Sequence, residues 1–170
     1  MAKDLLDNLD LQGLHCLNES SAHPWANALK QGYREDDGLY LESDADEQLL
    51  VNIPFQQKSK LSSLLITGPS DGTGPKRVKL YVNLPSFGFS DAEGSVPAAQ
   101  EFDLTPAQLA GEAIPLKFVK FQSVTQLSVF IESNQGGEET TKVTKIALMG
   151  QTGEGDKFNV AEIKKVEDGH

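Results

Sequence analysis

The chain has 170 residues, 38% of them hydrophobic and 24% charged, with a formal net charge of −10. That is enough chain for one domain with a full core, and its balance of apolar and charged residues is that of a folded protein, not a disordered one. So much acid argues against a nucleic-acid or anionic-membrane partner, which would be repelled before a specific contact formed; a basic or mixed protein surface is favoured instead.

The lone cysteine, Cys16, excludes an internal disulfide and a cysteine-rich zinc site, and it fits a reducing compartment. The opening MAKDLLDNLDLQG carries acids where a secretory leader would be apolar. No apolar stretch approaches the roughly 20 residues of a membrane-spanning helix. A cytoplasmic monomer with access to the nucleus is expected, with no membrane partner.

In chain order, DLLDNLDLQGL places Leu5, Leu6, Leu9 and Leu11 among acids, the pattern of a short amphipathic helix that Gly13 stops early. NESSAHPWANALKQG predicts the one sizeable helix, over about residues 18–31. Asn18 or Ser20 would cap it, Pro24 would enter its first turn, Trp25 would pin it to the core and Gly32 would end it. From Leu39 the pattern changes to short apolar runs between Gly, Pro, Asn and Asp. LYLES, EQLLVNIPF, KLSSLLITG, RVKLYVNLP, AQEFDL, PLKFVKF, VTQLSVFIES and KVTKIALMG all read as strands.

Alternation assigns the faces. Val78, Leu80 and Val82 point one way, and Arg77, Lys79 and Tyr81 the other. Leu127, Val129 and Ile131 oppose Gln126, Ser128 and Phe130, while Ile146 and Leu148 share a side. A period of two with one apolar face predicts a sheet packed on one side and wet on the other. LTPAQLA predicts one helical turn, capped by Thr105 and started by Pro106. Short strands without alternating helices predict an all-β, antiparallel jelly-roll β-sandwich with a short N-terminal helix. It is one domain over 1–170, with its sandwich core at about 36–152 and a flexible tail at about 153–170.

Candidate chemistry is sparse. In LESDADEQLL, Glu42, Asp44 and Asp46 have the alternate spacing of calcium ligands, but the glycine and later glutamate of an EF-hand loop are missing. The stronger reading is that Asp44 and Asp46 organise a turn and keep a strand edge in water. His15 and Cys16 are adjacent, which in regular structure points their side chains apart, so a buried inert thiol is expected. GPSDGTGPKR has Pro75 before Lys76 and Arg77 after it, which breaks the phosphate-loop pattern. No catalytic residue, metal or cofactor is assigned. The terminal His170 would carry an imidazole and a carboxylate together, a pair able to enter a partner's groove or ligate a metal that the partner holds.

Read together, CLNES at 16–20, LESDADEQLL at 41–50, GPKRVKLYVNLP at 74–85, PLKFVKFQSVTQLSVFIESNQGGEETT at 115–141 and KIALMG at 145–150 resemble a PITH domain. The resemblance runs through nearly the whole chain in order, with FVKFQSVTQLSVFIESNQGGEETT its most specific part. It implies a galactose-binding-like sandwich and association with the regulatory particle of the 26S proteasome. Thioredoxin-linked members carry an upstream C-x-x-C; none is present here, so reductase activity is not implied, and the stand-alone branch is the nearer likeness. The functional expectation is a non-enzymatic protein-interaction module. The alternative is a carbohydrate or small-ligand binding domain using loops at one end, where Asn134 and Gln135 would be polar contacts and Gly136 and Gly137 would admit a ligand to the backbone. Candidate partner-contacting residues are therefore Asn134, Gln135, Asp44, Asp46 and His170.

Overall fold

The apolar run that begins at Leu49 continues past the expected break. LLVNIPFQQKSKLSSLLIT forms one 19-residue strand where the sequence predicts two. The structure, a computed structural model, describes residues 3–29 and 38–152. Its strands are β1 (Lys3–Asp4), β2 (His15–Leu17), β3 (Leu41–Glu42), β4 (Leu49–Thr67), β5 (Arg77–Val82), β6 (Gln100–Asp103), β7 (Ile114–Pro115), β8 (Val124–Ile131), β9 (Lys142–Val143) and β10 (Lys145–Thr152). Single helical turns α1 (Ala26–Leu29), α2 (Phe89–Ala92) and α3 (Pro106–Leu109) lie between them.

All pairings are antiparallel, and β4 organises them. Its first half lies between β2 and β8, with Val51 opposite both Cys16 and Val129. Strand β5 pairs with β8, and β6 with β5. Its second half lies between β10 and β7, with Leu64 opposite Leu148 and Ile114. The register with β8 is irregular between Pro54 and Ser59. Pro54 has no N–H to give to a ladder there, and the polar residues that follow are exposed. At this point β4 passes from one layer to the other, and the result is an antiparallel jelly-roll sandwich.

Leu49, Val51 and Ile53 face inward opposite Ile131, Val129 and Leu127. They meet Leu64, Ile66, Ile146 and Leu148 of the other layer in one core. Each such side chain stabilises the fold by about 1.5–3 kcal/mol through burial. Trp25 packs against this core from the start of α1.

Four further expectations are corrected. The sheet is not wet on its second face at the centre: Tyr81 and Phe130, assigned to solvent, are buried with Leu50 beneath Phe87 and Ala92. The connection between β5 and β6 folds back as a cover, with Phe87 tilted on Tyr81 at 4.4 Å and Phe89 edge-on to Phe130 at 6.0 Å between ring centroids. PLKFVKF gives only the two-residue β7, because Phe118–Lys120 closes into a 3₁₀ turn. The helix expected over 18–31 is found at Ala26–Leu29 within the described residues. Asn18 cannot cap it, since its φ of 71° is left-handed and its side chain serves the 44–48 loop. Finally, the leucine-rich opening makes β1 and a 3₁₀ turn, Leu6–Asn8, that bury Leu5 and Leu9.

The turn at Pro106–Leu109 forms as expected. The Thr105 hydroxyl accepts from the Gln108 N–H at 3.2 Å, and the Gln108 side chain accepts from the Thr105 N–H at 3.1 Å. That reciprocal pair satisfies two N–H groups that an uncapped turn would leave open.

Candidate interaction surface

The acidic loop after β3 is braced rather than open. Asn18, in its left-handed conformation, donates from its amide to the Asp46 carboxylate at 2.8 Å and to the Gln48 carbonyl at 2.7 Å. Its amide oxygen accepts from the Ala45 N–H at 3.0 Å. Asp46 also accepts from the Gln48 N–H, the local backbone bond expected of a turn aspartate. Asp44 and Asp46 are exposed at the loop surface. Among the described residues, no group of three or more His, Cys, Asp or Glu side chains is arranged to hold a metal ion.

The turn after β8 is tighter still. Asn134 is buried, and its amide donates to the carbonyls of Glu138 and Thr140 and to the Thr141 hydroxyl, while its oxygen accepts from the Glu138 N–H. Gln135 reaches across to the carbonyls of Pro75 and Leu104 at 2.9 and 3.0 Å. The glycines serve this packing: the Gly136 N–H donates to the Gly72 carbonyl at 2.8 Å, and a Cβ at Gly136 would stand 3.0 Å from the Gly72 Cα. The close approach is thus between two turns of the same chain. His170 lies outside the described residues.

A groove of about 970 Å³ opens beside these turns, between residues 68–72, α3 and the start of β10. Leu65, Pro69, Pro106 and Leu109 give it apolar walls, with Asp71, Thr67 and Gln135 among its polar groups. Hydrogen bonds from the Thr73 hydroxyl and N–H hold the Asp71 carboxyl below the usual carboxylate range. Among the described residues, no aromatic ring lines the groove.

Two features escape a reading by motif. Asn52 is buried under the cover segment, donating to the Phe87 carbonyl at 3.1 Å and accepting from the Ser128 hydroxyl at 2.5 Å. Its amide also lies 3.1 Å from His15 Nε2, and the other ring nitrogen, Nδ1, lies 3.4 Å from the Gly13 carbonyl. This network fastens the cover to the sheet, and a polar residue in the middle of a hydrophobic strand was its only sequence signal. The second feature is the pair Phe118 and Val119, 73% and 79% exposed. Reading PLKFVKF as a strand hid it. Cys16, by contrast, is buried, and burial pushes its thiol far up, so the reactive thiolate is suppressed.

Comparison with known proteins decides the family. The PITH domain profile matches residues 1–168. The chain belongs to the PITH domain family. Thioredoxin-like protein 1 of Schizosaccharomyces pombe is 40% identical over 159 residues, covering 91% of this chain and 52% of that protein. PITH domain-containing protein 1 of Homo sapiens is 39% identical over 153 residues, covering 89% of this chain and 71% of that protein. The chain thus spans about half of the yeast relative's length.

Solved structures agree on architecture alone. The family 32 carbohydrate-binding module of Clostridium perfringens NanJ, in complex with galactose, superposes with a TM-score of 0.63 at 8% identity, covering 88% of this chain and 99% of that chain. The paired modules of Clostridium perfringens ZmpB, in complex with GalNAc, give 0.63 at 10% identity, covering 91% of this chain and 37% of that chain. This chain thus shares the sandwich fold of those modules.

Proposed function

We propose that this PITH domain is a non-enzymatic interaction module that associates with the regulatory particle of the 26S proteasome in the cytosol and nucleus. The observation that carries the reading is family membership over residues 1–168. The direction of the polar groups supports it: Asn18, Asn52, Asn134 and Gln135 all spend their amides on their own chain. The sandwich is then a rigid frame, and its loops supply contact surface. Pull-down from a cell extract at low salt, followed by mass spectrometry, tests this. Regulatory-particle subunits should be recovered, and less so as salt rises. Recovery no greater than background would overturn the reading.

A second reading, binding of a carbohydrate or another small ligand, is favoured by the 970 Å³ groove and by the galactose-bound neighbour of the same fold. It predicts a rise in melting temperature with galactose or with calcium. An unchanged melting temperature across a sugar panel would sink it.

A further inference from the structure

The chain's −10 charge is unevenly placed. Residues 48–70, 113–131 and 140–153 contain no Asp or Glu, yet they carry Lys58, Lys60, Lys117, Lys120, Lys142 and Lys145. The Phe118–Val119 pair lies within the second of these windows. It is the exposed large-hydrophobic surface of the described residues, and Lys117 and Lys120 flank it, both exposed. Beside it is a cavity of about 320 Å³ with Leu61, Leu116 and Phe118 as its apolar lining and Lys60 at its edge. Every described residue lining that cavity comes from these three windows. Of the other long acid-free stretches, 20–34 and 72–90, the second has its Arg77 and Lys79 ion-paired with Glu101, Asp103 and Glu132.

The pair is held out rigidly. Leu116 and Phe121, on either side of it, are buried. The Leu116 N–H donates to the Ser62 carbonyl at 3.0 Å, and the Phe121 carbonyl accepts from the Leu61 N–H at 2.9 Å. The Lys117 N–H donates to the Gln100 side chain at 2.8 Å, and the Gln122 amide donates to the Phe118 carbonyl at 2.8 Å. On the opposite wall, Gly150 sits at a register shift where a Cβ would fall 2.0 Å from the Lys60 carbonyl oxygen. Only glycine lets the two strands close there. A surface ordered in advance loses little conformational freedom on binding.

We infer that the Lys117–Lys120 knuckle and its adjoining cavity form a docking site for an acidic segment of a partner protein that carries one apolar anchor residue. The lysines would face the segment's carboxylates, and the anchor would enter the cavity against Leu61, Leu116 and Phe118. Charge selects this occupant. Net charge repels an acidic segment from the molecule as a whole, so it can settle where exposed Lys117 and Lys120 stand beside a cavity whose described lining carries no acid. The cavity is at the low end of the roughly 300–1,000 Å³ of ligand clefts, a fit to a side chain. A two-residue apolar knuckle also falls short of the long apolar helix face by which segments lie on membranes.

This inference rests on the interaction-module reading but not on the proteasome as the partner. Two double variants test it, Phe118→Ala with Val119→Ser and Lys117→Glu with Lys120→Glu, their folding checked by circular dichroism. The probe is a fluorescent Asp/Glu-rich peptide with one central leucine, read by anisotropy. The full chain should bind it, and the apolar variant should bind about tenfold more weakly or worse, the loss typical of an anchor contact. The lysine variant should lose affinity and its salt dependence. Equal binding by both variants would overturn the inference. So would binding of phosphatidylserine vesicles in place of the peptide, or self-association abolished by the apolar variant, which would make a second copy the occupant. Purified regulatory particle separates the two readings. Capture by the full chain and equally by both variants refutes the knuckle alone; peptide binding without particle capture refutes only the proteasome assignment.

Discussion

One strand, β4, behaves in two ways along its length. From Leu49 to Ile53 every residue is buried, whichever face it points to; from Ser59 to Thr67 burial alternates with partial exposure. The first half has a second hydrophobic layer laid over its outer face by the β5–β6 connection. Among the described residues the second half has none, and its surroundings carry the lysines and the exposed Phe118–Val119 pair. A sheet that must be covered on both faces needs apolar residues at every position, whereas one covered on a single face can place polar side chains at alternate positions. The chain thus closes one end of the sandwich and keeps the other available for contact.

The largest test of that contrast is Phe130→Ala. A residue on a wet face would tolerate the change, but under the cover the loss should be about 3–5 kcal/mol, read from urea unfolding. A cost below about 1 kcal/mol would mean that the cover does not hold in solution. Next is Asn52→Leu, which removes the tie to the Phe87 carbonyl and the Ser128 hydroxyl. Leaving those groups without a partner should cost about 1–3 kcal/mol. The covered half also has a pH signature. Burial raises both the Cys16 thiol and the Tyr81 hydroxyl. Above the ordinary thiol value of 9.0, the unfolded chain sheds protons that the native chain keeps. Stability should therefore be full below that pH and fall as pH rises through it, and Cys16→Ala should remove part of the slope in unfolding curves. The smallest effect is expected at the open half: Phe118→Ala should change stability by no more than about 0.5 kcal/mol.

The same contrast explains what could be read in advance. The alternation in RVKLYVN and VTQLSVFIES correctly gives Val78, Leu80, Val129 and Ile131 as core. It misplaces Tyr81 and Phe130, because a period of two says which residues share a face but not whether another segment later covers the second face. The unbroken run LLVNI was the available clue, since a strand with no polar alternation is covered on both sides. Asn134 and Gln135 were visible as polar residues in a glycine-rich turn, but the partners of Gln135, Pro75 and Leu104, are distant contacts that only the fold brings together. The knuckle was missed for a local reason. PLKFVKF reads as a short apolar run bounded like a strand, and its turn is set by backbone ties to β4 that no pattern within the segment encodes.

The uninterrupted course of Leu49–Thr67 has a dynamic consequence. Neither half of the sandwich can detach while retaining its own central strand, so partial opening would expose both interiors at once. The most protected amides on the two sides should exchange with solvent at a common free energy, that of whole-domain unfolding. A partner gripping one end would then stiffen the far end through the shared strand, with no rearrangement between them.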